Sequence, residues 1–571
     1  MTKVRIISGL CLLVALCQFG CVSPGSIDVD DVQRLQQAML ARGPQARPGE
    51  GLGLMRPTTP DVPALAVEKG SAGRNVIKLS LQQAVMIALT ANTDIAVVAY
   101  NPQISREQMV EAAAAFDYTM FGSLGYSSTS TAQAHRGGPV VQGRQGLRTM
   151  EVGLRQHTVT GADWELSNNF SRSWDDRTTD SANRWYQQNL ALSVTQPLLR
   201  NAWPEFNLAA LKIARLNYKI SAAQFRQQVE QTITEVMTAY YQLIQARRDV
   251  EIVAELLEIT RKTYKQVMGR VSIDATKVQV KQSLAAVLNR EAVMIEARKS
   301  LQDAQDSLVR LLGDSQLNLL QNFQLVPTTE ITPLPVKIDT ADQLLTALRL
   351  SPLLAQARYA IDQAEINVKV AKNELLPVLN FTAGVGLNGG STSRRGQVWD
   401  DVYSGNFTSY HAGLEFEYPI GNRSARARLA QSRLQRLQLI TEMQNSADKI
   451  AQVVRERIRQ VRSRYEEYRI QTKNLAASRA KLKALNDMEK IRGKLTPEFL
   501  DLKLSTQAQV AAAQQSVVRA IVRYNTGLLD LAQATGATLE MNQVKLALPL
   551  VTQSGRIPLN TAPPAQAGKV K

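Results

Sequence analysis

The feature that most constrains this chain of 571 residues is that it states one structural unit twice. Val194-Thr195-Gln196-Pro197 closes an alternating, strand-like stretch and opens a long helical one, and Phe416-Glu417-Tyr418-Pro419 does the same 222 residues later. Met268-Gly269-Arg270-Val271-Ser272 interrupts the helical pattern and returns as Arg492-Gly493-Lys494-Leu495-Thr496 at an offset of 224. Gly313 and Gly536, which end the two helical tracts, are 223 apart. Three landmarks of different kinds at nearly one offset imply a duplicated unit of strand, long helix, turn and long helix.

Ala, Gln, Leu and Arg dominate the helical tracts and aromatic residues make up only 5% of the chain, which suits long helices packed side by side rather than a thick core. Behind Lys3 and Arg5, the apolar run from Ile6 to Leu16 reads as an export signal, short of the ~20 residues a membrane-spanning helix needs. All three cysteines, Cys11, Cys17 and Cys21, lie in or at the end of that signal, so packing rather than disulfides must hold the exported chain. Cys21, between Gly20 and Val22-Ser23-Pro24-Gly25-Ser26, resembles a bacterial lipoprotein cleavage site, although Gln18 and Phe19 depart from the pattern. It is the candidate lipidation residue, with a conventional cleaved signal as the alternative.

The net charge of +17 does not point to nucleic acid, because the basic residues are spread along both helical tracts among Gln and Glu. Clusters such as Arg423, Arg426, Arg428, Arg433 and Arg436 read as solvated helix faces, with contact to anionic lipid headgroups as a secondary reading. The three histidines, His135, His157 and His411, have no metal-ligand spacing, and no nucleophile or phosphate-cradling motif is present. Nothing here reads as an enzyme, and no cofactor is implied.

The organisation expected is a signal at 1–21, a Pro- and Gly-rich tether at 22–75, a first repeat at 76–315, a second at 316–540 and a flexible tail at 541–571. In the first repeat Ser80 caps a helix to Asn92, and the second repeat has a counterpart from Thr340 to Ser351. From Leu379 the period changes to two: Leu379, Phe381, Ala383, Val385 and Leu387 alternate with polar or small residues, and Ala412, Leu414, Phe416 and Tyr418 form the return. Each segment is close to the ~9 to 11 residues a tilted strand needs to cross a bilayer, and its polar partners suit a wet lumen. The first repeat offers Tyr118 to Tyr126 and Leu190 to Val194 as the same pair. Its connection is 37 residues longer and holds an extra hairpin, Val152 to His157 and Trp164 to Phe170, which either joins the sheet or projects from it. Four or six strands cannot close a useful barrel alone, so copies must combine. Below the strands, apolar residues at three-four spacing, such as Val229, Ile233, Val236 and Tyr240, predict a helix from about Phe206 to Gln266, roughly 90 Å long at 1.5 Å per residue.

On these residues the chain resembles the TolC-like outer-membrane efflux protein family over roughly Leu79 to Gly536. The resemblance rests on the repeated helix-strand-strand-helix order, Gln196-Pro197 before Leu198-Leu199-Arg200, Tyr241 and Tyr465 before the turns, and the closing glycines. It implies a mainly α fold with a membrane β-barrel portion, in which duplicated long α-helical hairpins and β-hairpins from three chains build a 12-stranded barrel and an α-helical periplasmic tunnel. It also implies partners: a homotrimer, a periplasmic adaptor (membrane fusion) protein, indirectly an inner-membrane transporter, and outer-membrane lipid. Gly269, Arg270, Val271 and Ser272, and Gly493, Lys494, Leu495 and Thr496, match the adaptor-docking tip turns, where glycine permits reversal and Ser272 or Thr496 can cap the returning helix. Where some members place two aspartates at the tunnel mouth this chain has Phe499 and Leu502, with Asp274, Glu498 and Asp501 nearby as candidates for a rebuilt constriction. The function implied is the exit duct of a tripartite efflux or type I secretion system. The alternative is a coiled-coil lipoprotein tethering membrane to cell wall; a diffusion porin leaves the helical hairpins unexplained.

Overall fold

The computed structural model describes residues 57–58, 67–69, 75–133, 141–175, 184–272, 275–313, 323–392, 395–492 and 496–546. Cys21, the export signal, most of the tether and tail, the constriction candidate Asp274 and the tip-turn residues Gly493, Lys494 and Leu495 lie outside them.

After a two-residue strand at Pro57–Thr58, which pairs antiparallel with Lys545–Leu546, come β1 (Val67–Lys69) and β2 (Asn75–Leu79). Ser80 then starts α1 (Leu81–Ala91) through a capping box in which its hydroxyl accepts from the Gln83 amide and the Gln83 side chain accepts from Ser80 N–H. Asn92 ends α1 and caps α2 (Thr93–Ala113), which feeds four strands: β3 (Thr119–Gln133), β4 (Val141–His157), β5 (Asp163–Asp175) and β6 (Arg184–Pro197). The helical hairpin α3 (Ala209–Gly269) and α4 (Lys277–Leu312) follows, then β7 (Phe323–Pro327). The second half repeats the plan: α5 (Thr340–Leu350), α6 (Pro352–Asn373), β8 (Val378–Ser391), a short α7 (Arg395–Ser404), β9 (Thr408–Glu417), α8 (Arg423–Arg492) and α9 (Pro497–Thr535). With 61 and 70 residues, α3 and α8 are about 90 and 105 Å long.

The duplication is visible in the joints. Gly313 and Gly536 end α4 and α9 in the left-handed conformation, with φ of 64° and 68°. Each backs onto the end of the short helix of its half: a Cβ on Gly313 would lie 2.7 Å from the Ala91 carbonyl, and one on Gly536 3.0 Å from that of Leu350. Around the first joint, Leu79, Phe225, Val229, Ile233 and Tyr240 share an apolar core, and the Tyr240 hydroxyl donates to the Leu79 carbonyl at 2.8 Å. A smaller core around Val454, Ile458, Val461 and Tyr524 serves the second half. The sequence reading did not anticipate the small sheet in which β7 runs parallel to β2, joining the two halves beside the first core.

The large sheet is antiparallel throughout, in the order β9-β8-β6-β5-β4-β3. The extra hairpin therefore joins the large sheet: β4 and β5 stand between β3 and β6, and β6 pairs with β8 to link the halves. A 12-stranded barrel from three chains needs four strands from each, whereas this sheet has six. The physical reason is that the 37-residue excess is spent on two full-length strands in continuous register, not on an external loop.

Candidate functional site: a two-faced sheet above a helical tip

Register across the sheet separates its faces. Met120, Leu154, Leu166, Leu192, Val385 and Tyr410 stand in one row across all six strands. They sit on a face that is apolar yet bare, with Met120 66%, Leu124 83% and Tyr410 87% exposed. A soluble sheet would cover such a face with a second layer; a lipid-facing wall needs none. Tyr118 meets Trp164 edge-on at its helix-proximal end, and Arg148 and Arg172 lie over the rings of Tyr126 and Tyr186 at the far end. The apolar band from Tyr118 to Tyr126 runs about 26 Å along the strand, on the scale of the ~25 Å band of outer-membrane barrels.

The opposite face is polar. Ser123, Glu151, Asn169, Asn189 and Asn388 form one of its rows. The Ser123 hydroxyl donates to Glu151 at 3.3 Å, the Asn189 amide to Asn388 at 2.6 Å and the Asn380 amide to Glu415 at 3.4 Å. These groups need water or one another, which suits a lumen and not hydrocarbon. His157 is the last residue of β4, at the helix-proximal end of the sheet, where its Nδ1 lies 2.7 Å from Asp163 and its ring stacks on Phe116. That is a structural setting.

One element at the far end escaped the sequence reading. α7 lies over the apolar face at the top of β8, with Val398 and Val402 buried and Ser391 bonded to Gln397 at 3.1 Å. A Cβ at Gly389 would run into the Val398 carbonyl, so the Gly389-Gly390 pair was the available signal.

At the other end the two helical hairpins meet. Val267, Ala275, Leu485, Phe499, Leu500 and Leu504 pack into one apolar cluster that joins the two tips. Phe499 is thus a core residue, which explains why a charge is absent from that position; Leu502 is exposed. Of the constriction candidates, Glu498 and Asp501 are exposed, and Asp501 accepts from the Gln282 amide on α4 at 3.1 Å. Between the tips is a cavity of about 280 Å³ lined by Arg270, Glu489 and Lys503 among others. Lys503, only 7% exposed at its side chain, bonds Glu489 at 2.6 Å. The sequence reading missed this pair, although a lysine in the apolar stripe of Leu500 and Leu504 was its signal.

The tip turn also corrects two expectations. Gly269 is helical and its Cβ position faces open space, so glycine is not what permits the reversal; Arg270, with φ of −96° and ψ of 0°, ends the helix. Ser272 does not cap α4. Thr276 does, in a capping box with Gln279 at 3.3 and 2.7 Å. Thr496 does cap α9, accepting from the Phe499 amide at 3.3 Å. Met268 and Val271 stand 46% and 48% exposed beside Ser272, which places an apolar pair at the end of the first hairpin.

One further buried ionisable group lies where the two halves meet. Glu230 on α3 accepts from Arg226 at 2.8 Å, and Arg226 also donates to the carbonyl of Gly536 at 3.1 Å. Burial pushes the Glu230 carboxyl up to about 7, against the opposing pull of Arg226. Among the described residues, no cluster of His, Cys, Asp or Glu could hold a metal ion.

Comparison with known proteins agrees with this architecture. Outer membrane efflux protein BepC of Brucella suis biovar 1 (strain 1330) is 22% identical over 427 residues, 74% of this chain and 86% of the relative. The Campylobacter jejuni CmeC outer membrane channel superposes with a TM-score of 0.57 at 14% identity, covering 85% of this chain and 95% of that one. The open state of the Neisseria gonorrhoeae MtrE outer membrane channel gives 0.56 at 18% identity, with 85% and 98% covered. The family described as outer membrane efflux protein matches residues 164–314 and 344–489, just over half the chain, and the chain therefore belongs to the outer membrane efflux protein family.

Proposed function

We propose that the chain is the exit duct of a tripartite export system, in which three copies combine their sheets in the outer membrane and their helical hairpins in the periplasm. The observation that carries this reading is the two-faced sheet joined without interruption to helical hairpins of about 90 and 105 Å. Lipid outside, water inside and a periplasm-scale helical extension are the physical requirements of a duct that spans two compartments. A coiled-coil tether would have no use for the polar rows of the sheet. The tip, with Gly269, Arg270, Val271, Ser272 and Thr496 at its end, is the surface for a periplasmic adaptor, which in turn joins an inner-membrane transporter. Glu498 and Asp501 are the described residues available to narrow the mouth, and Cys21 is the residue for an N-terminal lipid anchor.

Cysteine placed at Arg270 or Lys494 and crosslinked in living cells to candidate adaptors tests the docking role. An adaptor adduct at either position is the expected result, together with drug sensitivity on deletion of the gene. No adduct with any adaptor, from chains that reach the outer membrane, would remove the tip from the docking role.

A further inference from the structure

The large sheet has two open edges, β3 and β9, and each carries exposed apolar side chains: Met120 and Leu124 on one, Tyr410 and Leu414 on the other. Unpaired backbone on an edge is not tolerated in a bilayer, so both edges must find partners. Six strands is an even number, so β9 runs opposite in direction to β3, and β9 of one copy can pair antiparallel with β3 of the next without changing the alternation.

The helical layer below has the same two ends. α2, α3, α6 and α8 pack side by side in that order, α2 leading into β3 and α8 leaving β9. Both terminal helices show apolar residues to the outside: Val97, Tyr100 and Ile104 on α2, and Leu434 and Leu437 on α8. Counting from the sheet at 1.5 Å per residue, Ile104 lies about 14 Å and Leu434 about 16 Å along their helices, so the two patches are level. Each flank is therefore open in two layers at once, and the flanks are complementary in strand direction and in the depth of their apolar residues.

We propose that the occupant of each flank is a second copy of this chain, and that three copies close head to tail into an 18-stranded barrel wider than the family's twelve. This rests on the exit-duct reading for the number of copies, while the strand count comes from the sheet. At a usual tilt and strand spacing, 18 strands give a circumference of roughly 110 Å, and 12 give roughly 75 Å. Twelve helices, four from each copy, at 8 to 10 Å spacing occupy roughly 95 to 120 Å. The wider barrel continues the helical ring with little change of girth. Its bore is roughly 35 Å between backbones. Selection by size then falls to the helical tip and not to the membrane wall.

The test uses the full-length chain in outer membranes. Ser123→Cys on β3 is combined in turn with Ser409→Cys, His411→Cys or Gly413→Cys on the lumen side of β9, and Ile104→Cys on α2 is combined with Leu434→Cys on α8. The expected result is oxidant-dependent covalent trimers from at least one sheet pair and from the helix pair, absent from every single-cysteine chain, with 18 strands around three copies in electron cryomicroscopy of the extracted protein. Three copies around 12 strands, with the β4–β5 hairpin outside the wall, would overturn the inference and leave the exit duct standing. Two copies sharing 12 strands, or a different protein on either edge, would overturn it as well. A folded protein with no barrel in the membrane would remove the duct reading itself.

Discussion

The two long helices that begin just below the sheet share a plan and differ in how they are held. α3 lies in the interior of the copy, with α2, α4, α6 and α9 packed around it and Phe225, Val229, Ile233 and Tyr240 buried along its length. α8 lies at a flank against α5, α6 and α9, and leaves Leu434, Leu437 and Ile470 exposed. The difference extends to matched positions. Arg226, half-buried, and Glu230, buried, form an ion pair on α3 that reaches the cap of α9, and 224 residues on, α8 has Ile450 and Val454 instead. Duplication fixed the backbone plan, and the side chains then specialised, one half to bind the other and one to pack a smaller apolar core.

Moving the charge from one half to the other is the severest way to break that comparison. Val454 is fully buried in an apolar cluster, so Val454→Glu places an unpaired carboxylate there and should cost about 3 to 5 kcal/mol at pH 8. Adding Ile450→Arg should recover part of that loss if the two halves are equivalent at this level. Urea midpoints of the purified protein measure both, and a double variant no better than the single one would show that the ion pair depends on its contact with Gly536.

Within the first half the same pair makes stability depend on pH. The Glu230 carboxyl, pushed up from 4.5 to about 7, is charged at a cost in the folded chain. Its contribution is fully present below about pH 4.5 and is lost as pH rises through 7, a span of at most about 3 kcal/mol. Glu230→Gln should flatten that dependence. Arg226→Met should steepen it, with a loss of about 2 to 4 kcal/mol at pH 8 and little at pH 5. Thermal melts of the three chains at pH 5, 6.5 and 8 decide the sign; a wild-type melt that rises with pH while Glu230→Gln stays flat would contradict it.

What the sequence made legible follows from locality. Alternation from Leu379 to Leu387 and three-four spacing from Val229 to Tyr240 name strand and helix because each period is written within one element. Strand pairing is different: the hairpin from Val152 to Phe170 shows two faces in either placement, and only β3 and β6 on its two sides decide that it joins the sheet. The parallel contact of β2 with β7 likewise spans the whole first repeat and leaves no local mark. At the tip, Thr276 with Gln279 three residues on is a readable capping box directly before the helix that starts at Lys277, yet the glycine landmark draws the cap toward Ser272. In the sequence Phe499 shows only as a missing charge. Its partners Val267 and Leu485 come from other helices, and without them its packing role has no sequence signature.

The glycines sharpen the comparison further, because those closing the hairpins and the one near the tip look alike in sequence and differ in conformation. Gly313→Ala and Gly536→Ala each put a Cβ on a left-handed backbone at about 1 to 2 kcal/mol, with the Ala91 and Leu350 carbonyls adding to the cost. Both should lower the melting temperature to a similar degree, since the joint is duplicated.

Gly269→Ala should do the reverse, and it is the smallest effect. Gly269 is the last residue of α3, has no left-handed φ and faces open space, so alanine only reduces the freedom of the unfolded chain and should raise stability by less than about 1 kcal/mol. The melt then separates two reasons for a glycine at the tip. If Gly269→Ala is as stable as the wild type and export is unchanged, the residue is incidental to the turn. If stability is kept and export falls, the missing side chain is needed by whatever approaches the exposed Met268 and Val271, and the glycine belongs to the docking surface. A clear loss of stability would mean that the first hairpin reverses through a conformation other than the helical one, and the contrast with Gly313 and Gly536 would fail.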